Sequence, residues 1–186
     1  MKLQEIGEFG LIDLIKQGTI NDPGSIVAGI GDDAAVIRPH PQHLQLLTTD
    51  MLVEDIHFSL KTTTPWQLGY KAMAVNFSDI AAMGGRPRHA VVAVAIPPVL
   101  TVEFIINMYD GMKAICKEYG VNIAGGDTVA SRQGLVINVT VVGEAVSGNV
   151  VLRSGAQPGD IVAVTGPLGS SGGGLALLQR GEWEKF

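Results

Sequence analysis

A nearly unbroken Val/Ala/Ile run from His89 to Ile96, set between two well-delimited helical segments, constrains the fold more than any other feature. A continuous apolar run of this length predicts a strand buried on both faces, and Pro97-Pro98 ends it. The preceding helix is predicted to begin after Thr64, which forms a capping box with Gln67, and to end before Gly84-Gly85. A strand flanked by amphipathic helices predicts a layered fold of helices on a sheet.

The remaining segments extend this alternation. In chain order they are a helix with apolar residues from Ile6 to Ile15 that ends near Gly18, a strand at Leu44–Leu47, a helix from Thr101 to Gly120, and strands at Val121–Ala124 and Leu135–Val146. The order strand, helix, strand, helix, strand, strand predicts an α/β (α+β two-layer) fold with a mixed sheet and helices on one face.

A turn-rich segment, Arg153 to Asp160, predicts a domain boundary. We therefore predict one domain over residues 1–150, and a linker with the start of a truncated second domain over 151–186. The second part is predicted to begin with a strand, Ile161–Thr165, followed by a helical run, Leu175–Gln179.

Composition and charge exclude several classes of protein. The 186 residues are 46% apolar, which is enough for a sizeable core, and the net charge of -5 comes without any Lys/Arg cluster of the kind that binds nucleic acid. The longest apolar stretch, Ala90–Leu100, is too short to cross a bilayer. A single cysteine, Cys116, forms no internal disulfide and no zinc site. These features predict a cytoplasmic protein with neither a nucleic-acid nor a membrane partner.

Aspartates in apolar or glycine-rich surroundings are the strongest chemical signal. They are Asp32-Asp33, Asp50 after Thr48-Thr49, Asp79 on a helix, and Asp127 after Gly125-Gly126. Few cations adjoin them, and hard oxygen donors without cysteine or paired histidine favour Mg²⁺ over zinc or iron. Mg²⁺ completes its shell with substrate phosphates, so we predict that these acids converge around a nucleoside triphosphate, although the sequence lacks a P-loop.

Each of these residues also has a simpler interpretation. Asp32-Asp33 could form an Asx turn, Asp50 could cap the next segment, and Asp79 could pair with Arg86 or Arg88. The glycine pair before Asp127 could mark an ordinary turn. His57 and Arg153 could be exposed residues without a ligand.

Five segments, in their order and spacing, closely resemble the thiamine-monophosphate kinase family. They are GIGDDAAVI, LTTDMLVEDIHF, YKAMAVNFSDIAAMGG, AGGDT and LRSGAQPGD. The resemblance implies a domain of the aminoimidazole ribonucleotide synthetase-like type, dimerising through its sheet. It also implies ATP-dependent conversion of thiamine phosphate to thiamine diphosphate, by direct in-line transfer assisted by several Mg²⁺ ions and with no covalent enzyme intermediate.

The resemblance also assigns roles to positions of this chain. It implies Mg²⁺ ligands at Asp33, Thr48, Thr49, Asp50, Asp79 and Asp127, the two threonines partly through backbone oxygens, with Asp32 as a neighbour. It implies nucleotide contacts at Tyr109, Gly126, Asp127 and Arg153, and a contact to thiamine phosphate at His57. Because the second domain is cut short, we expect this chain to fold and dimerise but to turn over weakly or not at all.

Other functions stay open at this stage. A selenophosphate synthetase would need a reactive cysteine near the glycine-rich N-terminal loop, where none occurs. An aminoimidazole ribonucleotide synthetase or a hydrogenase-maturation protein shares the architecture. A non-catalytic dimerisation module that holds structural Mg²⁺ is the alternative from a different class.

Overall fold

The computed structural model describes residues 3–30 and 35–181, and it divides the chain into two compact units, 1–151 and 152–186. The helices are α1 (Leu3–Ile15), α2 (Pro65–Ala82), α3 (Val102–Tyr119) and α4 (Ser170–Arg180). The strands are β1 (Ile26–Ala28), β2 (Val36–Ile37), β3 (His43–Val53), β4 (Arg86–Ile96), β5 (Asn122–Ala130) and β6 (Val136–Val146). The predicted alternation of strands and helices is confirmed as β3-α2-β4-α3-β5-β6.

The two long helices begin and end where the sequence predicts. Thr64 caps α2, where its hydroxyl accepts from the Gln67 amide and the Gln67 side chain accepts from the Thr64 amide. Thr101 caps α3, and Gly120 ends it in the left-handed conformation that glycine adopts without strain. Buried faces of both helices pack against each other and against the sheet.

A four-stranded mixed sheet, in the order β3-β6-β4-β5, forms the other layer of the first unit. Strands β4 and β5 are parallel, whereas β6 is antiparallel to both of its neighbours. Val92, Val139 and Val141 are fully buried on the face under α2 and α3. The opposite face, which we call the open face, exposes Leu47 (74%), Met51 (55%) and Val91 (40%). The prediction of a two-layer α/β fold with helices on one face is confirmed.

Two strands are longer than predicted. β3 continues through Thr48-Thr49-Asp50, which we placed at a strand end, because β6 pairs with it over all eleven residues. β5 continues through Gly125-Gly126-Asp127, which we interpreted as a turn, because these residues pair with Val91 to Ala93 of β4. A Cβ at residue 126 would overlap the Val92 carbonyl oxygen, so the glycine permits this close pairing of strands.

In the second unit, the predicted helical run is confirmed as α4, but the predicted strand at 161–165 is wrong. Ile161 and Val162 lie more than nine-tenths exposed and hydrogen-bond to no neighbouring strand in the described part of this unit. An apolar run without a pairing strand does not form a ladder. Across both units, no helix among the described residues has the length and apolarity needed to span a membrane.

Replacing Thr64 by alanine should lower the free energy of unfolding by about 1 kcal/mol, because the first turn of α2 loses its side-chain acceptor. Urea unfolding followed by circular dichroism measures the change. Thr64→Ser keeps the hydroxyl and should stay close to the wild type. Equal losses for both variants would contradict the capping role.

Candidate functional site

Thr48 and Asp79 come together across the sheet-helix interface. The Thr48 hydroxyl donates to Oδ2 of Asp79 at 2.8 Å, joining the middle of β3 to the exposed side of α2. The simpler interpretation, a pair between Asp79 and Arg86 or Arg88, is wrong: among the described residues Asp79 forms an ion pair with neither, and Arg88 binds Asp22 at 2.7 Å and Glu144 at 3.4 Å. Thr48 and Asp79 together form an accessible set of hard oxygen donors.

Asp50 lies on the same side of β3 as Thr48, because side chains two residues apart point to one face of a strand. Thr49 points to the open face, where its hydroxyl contacts the Val139 carbonyl at 3.2 Å and the Thr140 hydroxyl at 3.0 Å. We call Thr48, Asp50 and Asp79 the β3–α2 oxygen cluster. Its members are the predicted ligands that the structure brings to one side of the sheet.

Asp127 lies on the other side of the sheet and near its opposite edge. The registers align Met51, Asn138, Ala93 and Asp127 in one row, which belongs to the open face. From β3 to β5 this row crosses three strand spacings, about 14 Å. Asp127 is therefore separated from the β3–α2 oxygen cluster in two ways: it lies on the opposite face of the sheet, and it lies three strands away.

The predicted convergence of the acids is therefore not seen for Asp127, which lies on the other face of the sheet from Asp50 and Asp79. Among residues 3–30 and 35–181, no three His, Cys, Asp or Glu residues are grouped closely enough to hold a metal ion. Asp32 and Asp33, the other predicted acids, lie outside the described residues.

A cavity of about 880 Å³ opens beside Asp127, between the open face and the first part of the chain. Lys16, which directly follows α1, lines it together with Gly29-Ile30, Asn138 and Gly125-Gly126-Asp127. Tyr109 borders an adjoining cavity of about 80 Å³ that also touches Gly126 and Asp127. Burial raises the pKa of Tyr109, so the hydroxyl stays neutral. Because all three border the smaller cavity, the predicted nucleotide contacts Tyr109, Gly126 and Asp127 are neighbours.

Two predicted contacts remain, His57 and Arg153. The His57 ring accepts the Val53 amide through Nδ1 at 3.1 Å, and the His57 carbonyl accepts from Lys71 at 2.7 Å, so both groups hold the loop after β3. Arg153 is exposed in the second unit.

A buried polar network around Asn122, which we did not predict, lies at the start of β5. Asn122 is fully buried, bonds the backbone of Asn21 and Asp22, and contacts His89 at 3.4 Å. Asp22 in turn binds Arg88. No periodic pattern marks such a residue, because its partners are about 100 positions away in the sequence.

His89 should make the stability depend on pH. Burial, and then the nearby Arg88, lower the pKa of His89 against the opposing effects of Asp22 and Glu144. The unfolded chain therefore takes up the proton first as the pH falls below about 6.5, and the free energy of unfolding decreases until the folded-state pKa is passed.

The test is urea unfolding of the wild type and of His89→Gln at pH 7.5 and pH 5. We expect the stability advantage of the wild type over the variant to shrink at the lower pH. A constant difference would show that His89 does not titrate differently in the two states.

The described fold and these sites place the chain in a known class. Residues 31–145 match the family model described as AIR synthase related protein, N-terminal domain, so the chain belongs to that family.

More specific similarity is to thiamine-monophosphate kinases. The chain is 47% identical to that of Bacillus subtilis (strain 168), over 92% of this chain and 52% of the relative. A crystal structure of thiamine-monophosphate kinase from Stenotrophomonas maltophilia K279a matches with a TM-score of 0.82 and 36% identity, over 95% of this chain and 54% of that one. The structure of AaThiL complexed with AMPPCP and TMP matches with a TM-score of 0.71 and 37% identity, over 97% and 55%. The chain thus spans about half the length of the relatives that it matches.

Proposed function

We propose that this chain forms the nucleotide-binding part of a thiamine-monophosphate kinase, which transfers the γ-phosphoryl group of ATP to thiamine phosphate. The observation that carries the proposal is 47% identity to such a kinase over 92% of the chain. The similarity to AaThiL complexed with AMPPCP, an ATP analogue, supports ATP as co-substrate, and the same complex with TMP supports thiamine phosphate as acceptor. Since ATP is a cytoplasmic co-substrate, we assign the function to the cytoplasm.

The oxygen donors of the chain fit Mg²⁺. The β3–α2 oxygen cluster offers two carboxylates and a hydroxyl, and the Thr48–Asp79 hydrogen bond leaves Oδ1 of Asp79 free of that contact. We propose that Thr48, Asp50 and Asp79 hold metal ions on this side of the sheet, and that Asp127 does so beside the cavity. Thr49 would act through its backbone oxygen and Asp33 through its carboxylate. Bound Mg²⁺ would neutralise charge on the phosphates during transfer.

The protein groups in this proposal position the reactants, and none of them forms a covalent bond to phosphorus. A phosphate oxygen of thiamine phosphate attacks the γ-phosphorus, and ADP leaves from the opposite side. We assign contacts to the nucleotide to Tyr109, Gly126, Asp127 and Arg153. Gly126 would contact the nucleotide through its backbone, which lines the cavity. His57 is proposed to contact thiamine phosphate through Nε2, since its Nδ1 accepts the Val53 amide.

A second copy of the chain would remove the distance across the sheet between Asp127 and the β3–α2 oxygen cluster. We infer that two open faces pack together, since each exposes the apolar side chains of Leu47, Met51 and Val91 around Thr49 and Thr140. A two-fold axis parallel to the strands lays β5 of the partner opposite β3. Asp127 of the partner subunit then faces the open side of β3, an edge strand whose other side carries Asp50 and contacts Asp79. In this homodimer, each nucleotide is held by oxygen donors from both copies.

Titration calorimetry with AMPPCP, in the presence of Mg²⁺ and again with excess EDTA, tests the proposal. We expect binding only with Mg²⁺, because acidic side chains and an acidic ligand otherwise repel each other. Equal affinity under both conditions, or no binding in either, would contradict the proposed function.

A further inference from the structure

Asn122 joins two segments that are far apart in the sequence. Its Oδ1 accepts the backbone amides of Asn21 at 2.7 Å and Asp22 at 2.6 Å, and its Nδ2 donates to the Asp22 carbonyl at 2.9 Å and to Ser25 Oγ at 3.2 Å. The Asn122 side chain is fully buried, so each lost bond would leave a polar group without water. The asparagine amide meets both requirements, because its oxygen accepts two hydrogen bonds and its NH₂ group donates two.

The surrounding contacts fix the orientation of the Asn122 amide. Two N–H donors face one of its terminal atoms, so that atom is the oxygen, and the nitrogen faces the acceptors. His89 Nδ1 lies 3.4 Å from that nitrogen. Two further bonds tie the same segments: Asn21 Nδ2 donates to the Val121 carbonyl at 2.7 Å, and the Ile123 amide donates to the Thr19 carbonyl at 2.8 Å.

Both joined segments lead directly into the walls of the 880 Å³ cavity. Residues 19–25 continue into β1 and then Gly29-Ile30, which form one wall, and Asn122 continues into Gly125-Gly126-Asp127, which form another. A Cβ built on Gly29 would lie 4.0 Å from the Ala124 carbonyl oxygen, which is van der Waals distance. Gly29 of one wall and Ala124, beside the other wall, are therefore neighbours. The hydrogen bonds that join the two segments therefore fix the distance between the two cavity walls.

We infer that Asn122 is a positioning residue for nucleotide binding, which holds Gly29-Ile30 at a fixed distance from Gly125-Gly126-Asp127. This inference rests on the proposed function for its ligand, whereas the coupling of the two walls rests on the hydrogen bonds alone. Asn122 does not line the cavity, so it acts through these wall residues.

Two measurements on the full chain test the inference. The first is hydrogen exchange without ligand, in which Asn122→Ala should speed exchange at residues 19–30 and at 122–127 while α2 and α3 stay protected. The second is titration with AMPPCP and Mg²⁺, in which Asn122→Ala should weaken binding by about tenfold or more. Ile105→Val, a change in the buried face of α3 away from the cavity, is the control for a general loss of stability. It should leave AMPPCP affinity within about twofold of the wild type.

A milder variant covers the case in which Asn122→Ala does not fold. Asn21→Ala removes the bond to Val121 from an exposed side chain, and it should raise exchange in both walls to a smaller extent. Faster exchange confined to residues 19–25, with 125–127 unchanged, would overturn the inference. So would unchanged affinity in a folded Asn122→Ala protein. If the wild type itself binds no AMPPCP, the proposed function fails, and the exchange measurement still decides whether Asn122 couples the two walls.

Discussion

Gly69→Ala is expected to destabilise the protein by about 3 kcal/mol or more, a large part of the total stability of a typical domain. A Cβ at residue 69 of α2 would overlap the Met108 carbonyl oxygen of α3, and a Cβ at residue 111 of α3 would overlap the Trp66 carbonyl oxygen of α2. The two helices cross at these paired glycines. Because the obstruction is backbone on both sides, no side chain can rotate away, and the helices must separate.

Thermal and urea unfolding measure this loss, and Gly172→Ala is the matched control. Residue 172 also lies inside a helix, but a Cβ built there meets nothing within 4 Å. The control variant should be neutral or more stable by up to about 1 kcal/mol, since alanine favours helix. A Gly69→Ala protein as stable as the control would show that α2 and α3 do not approach this closely.

Asp79→Asn should weaken Mg²⁺-dependent AMPPCP binding by about a hundredfold. The amide oxygen of asparagine can still accept from Thr48, which preserves the local geometry, but the negative charge that attracts the cation is lost. Titration calorimetry at several Mg²⁺ concentrations measures both the affinity and its dependence on the metal.

Asp110→Asn is the control for removal of one negative charge. Asp110 is an exposed aspartate of α3 that faces Lys113 at 3.9 Å. We expect its AMPPCP affinity to match the wild type. If Asp79→Asn binds as tightly as Asp110→Asn, Asp79 is not a metal ligand and the proposed β3–α2 metal site fails.

The sequence predicts the helices of this fold well because their signals are local. Thr64, Gln67 and Thr101 act within one turn of the helix that they cap, and Gly120 ends α3 by its own conformation. Strand ends depend instead on a partner strand that is distant in sequence. β6 extends β3 through Asp50, and β4 extends β5 through Asp127, so the pattern before either residue did not reveal that the strand continues.

The same distinction applies to the candidate site. Types and spacings of residues indicated the oxygen donors, and the structure joins two of them, Thr48 and Asp79. The face on which each donor lies follows from register and pleat, which placed Asp127 opposite the others. Asn122 could not be recognised from sequence, since its role comes from contacts with the distant residues Asn21 and Asp22.

Mixing two variants tests the central claim, that Asp79 of one copy and Asp127 of another hold the same nucleotide. Asp79→Asn and Asp127→Asn, each alone, should bind AMPPCP and Mg²⁺ weakly. After denaturation and refolding together, mixed dimers contain one intact site each, so tight binding should return at about a quarter of the wild-type capacity. A mixture that stays dimeric and binds no better than its components would contradict the account.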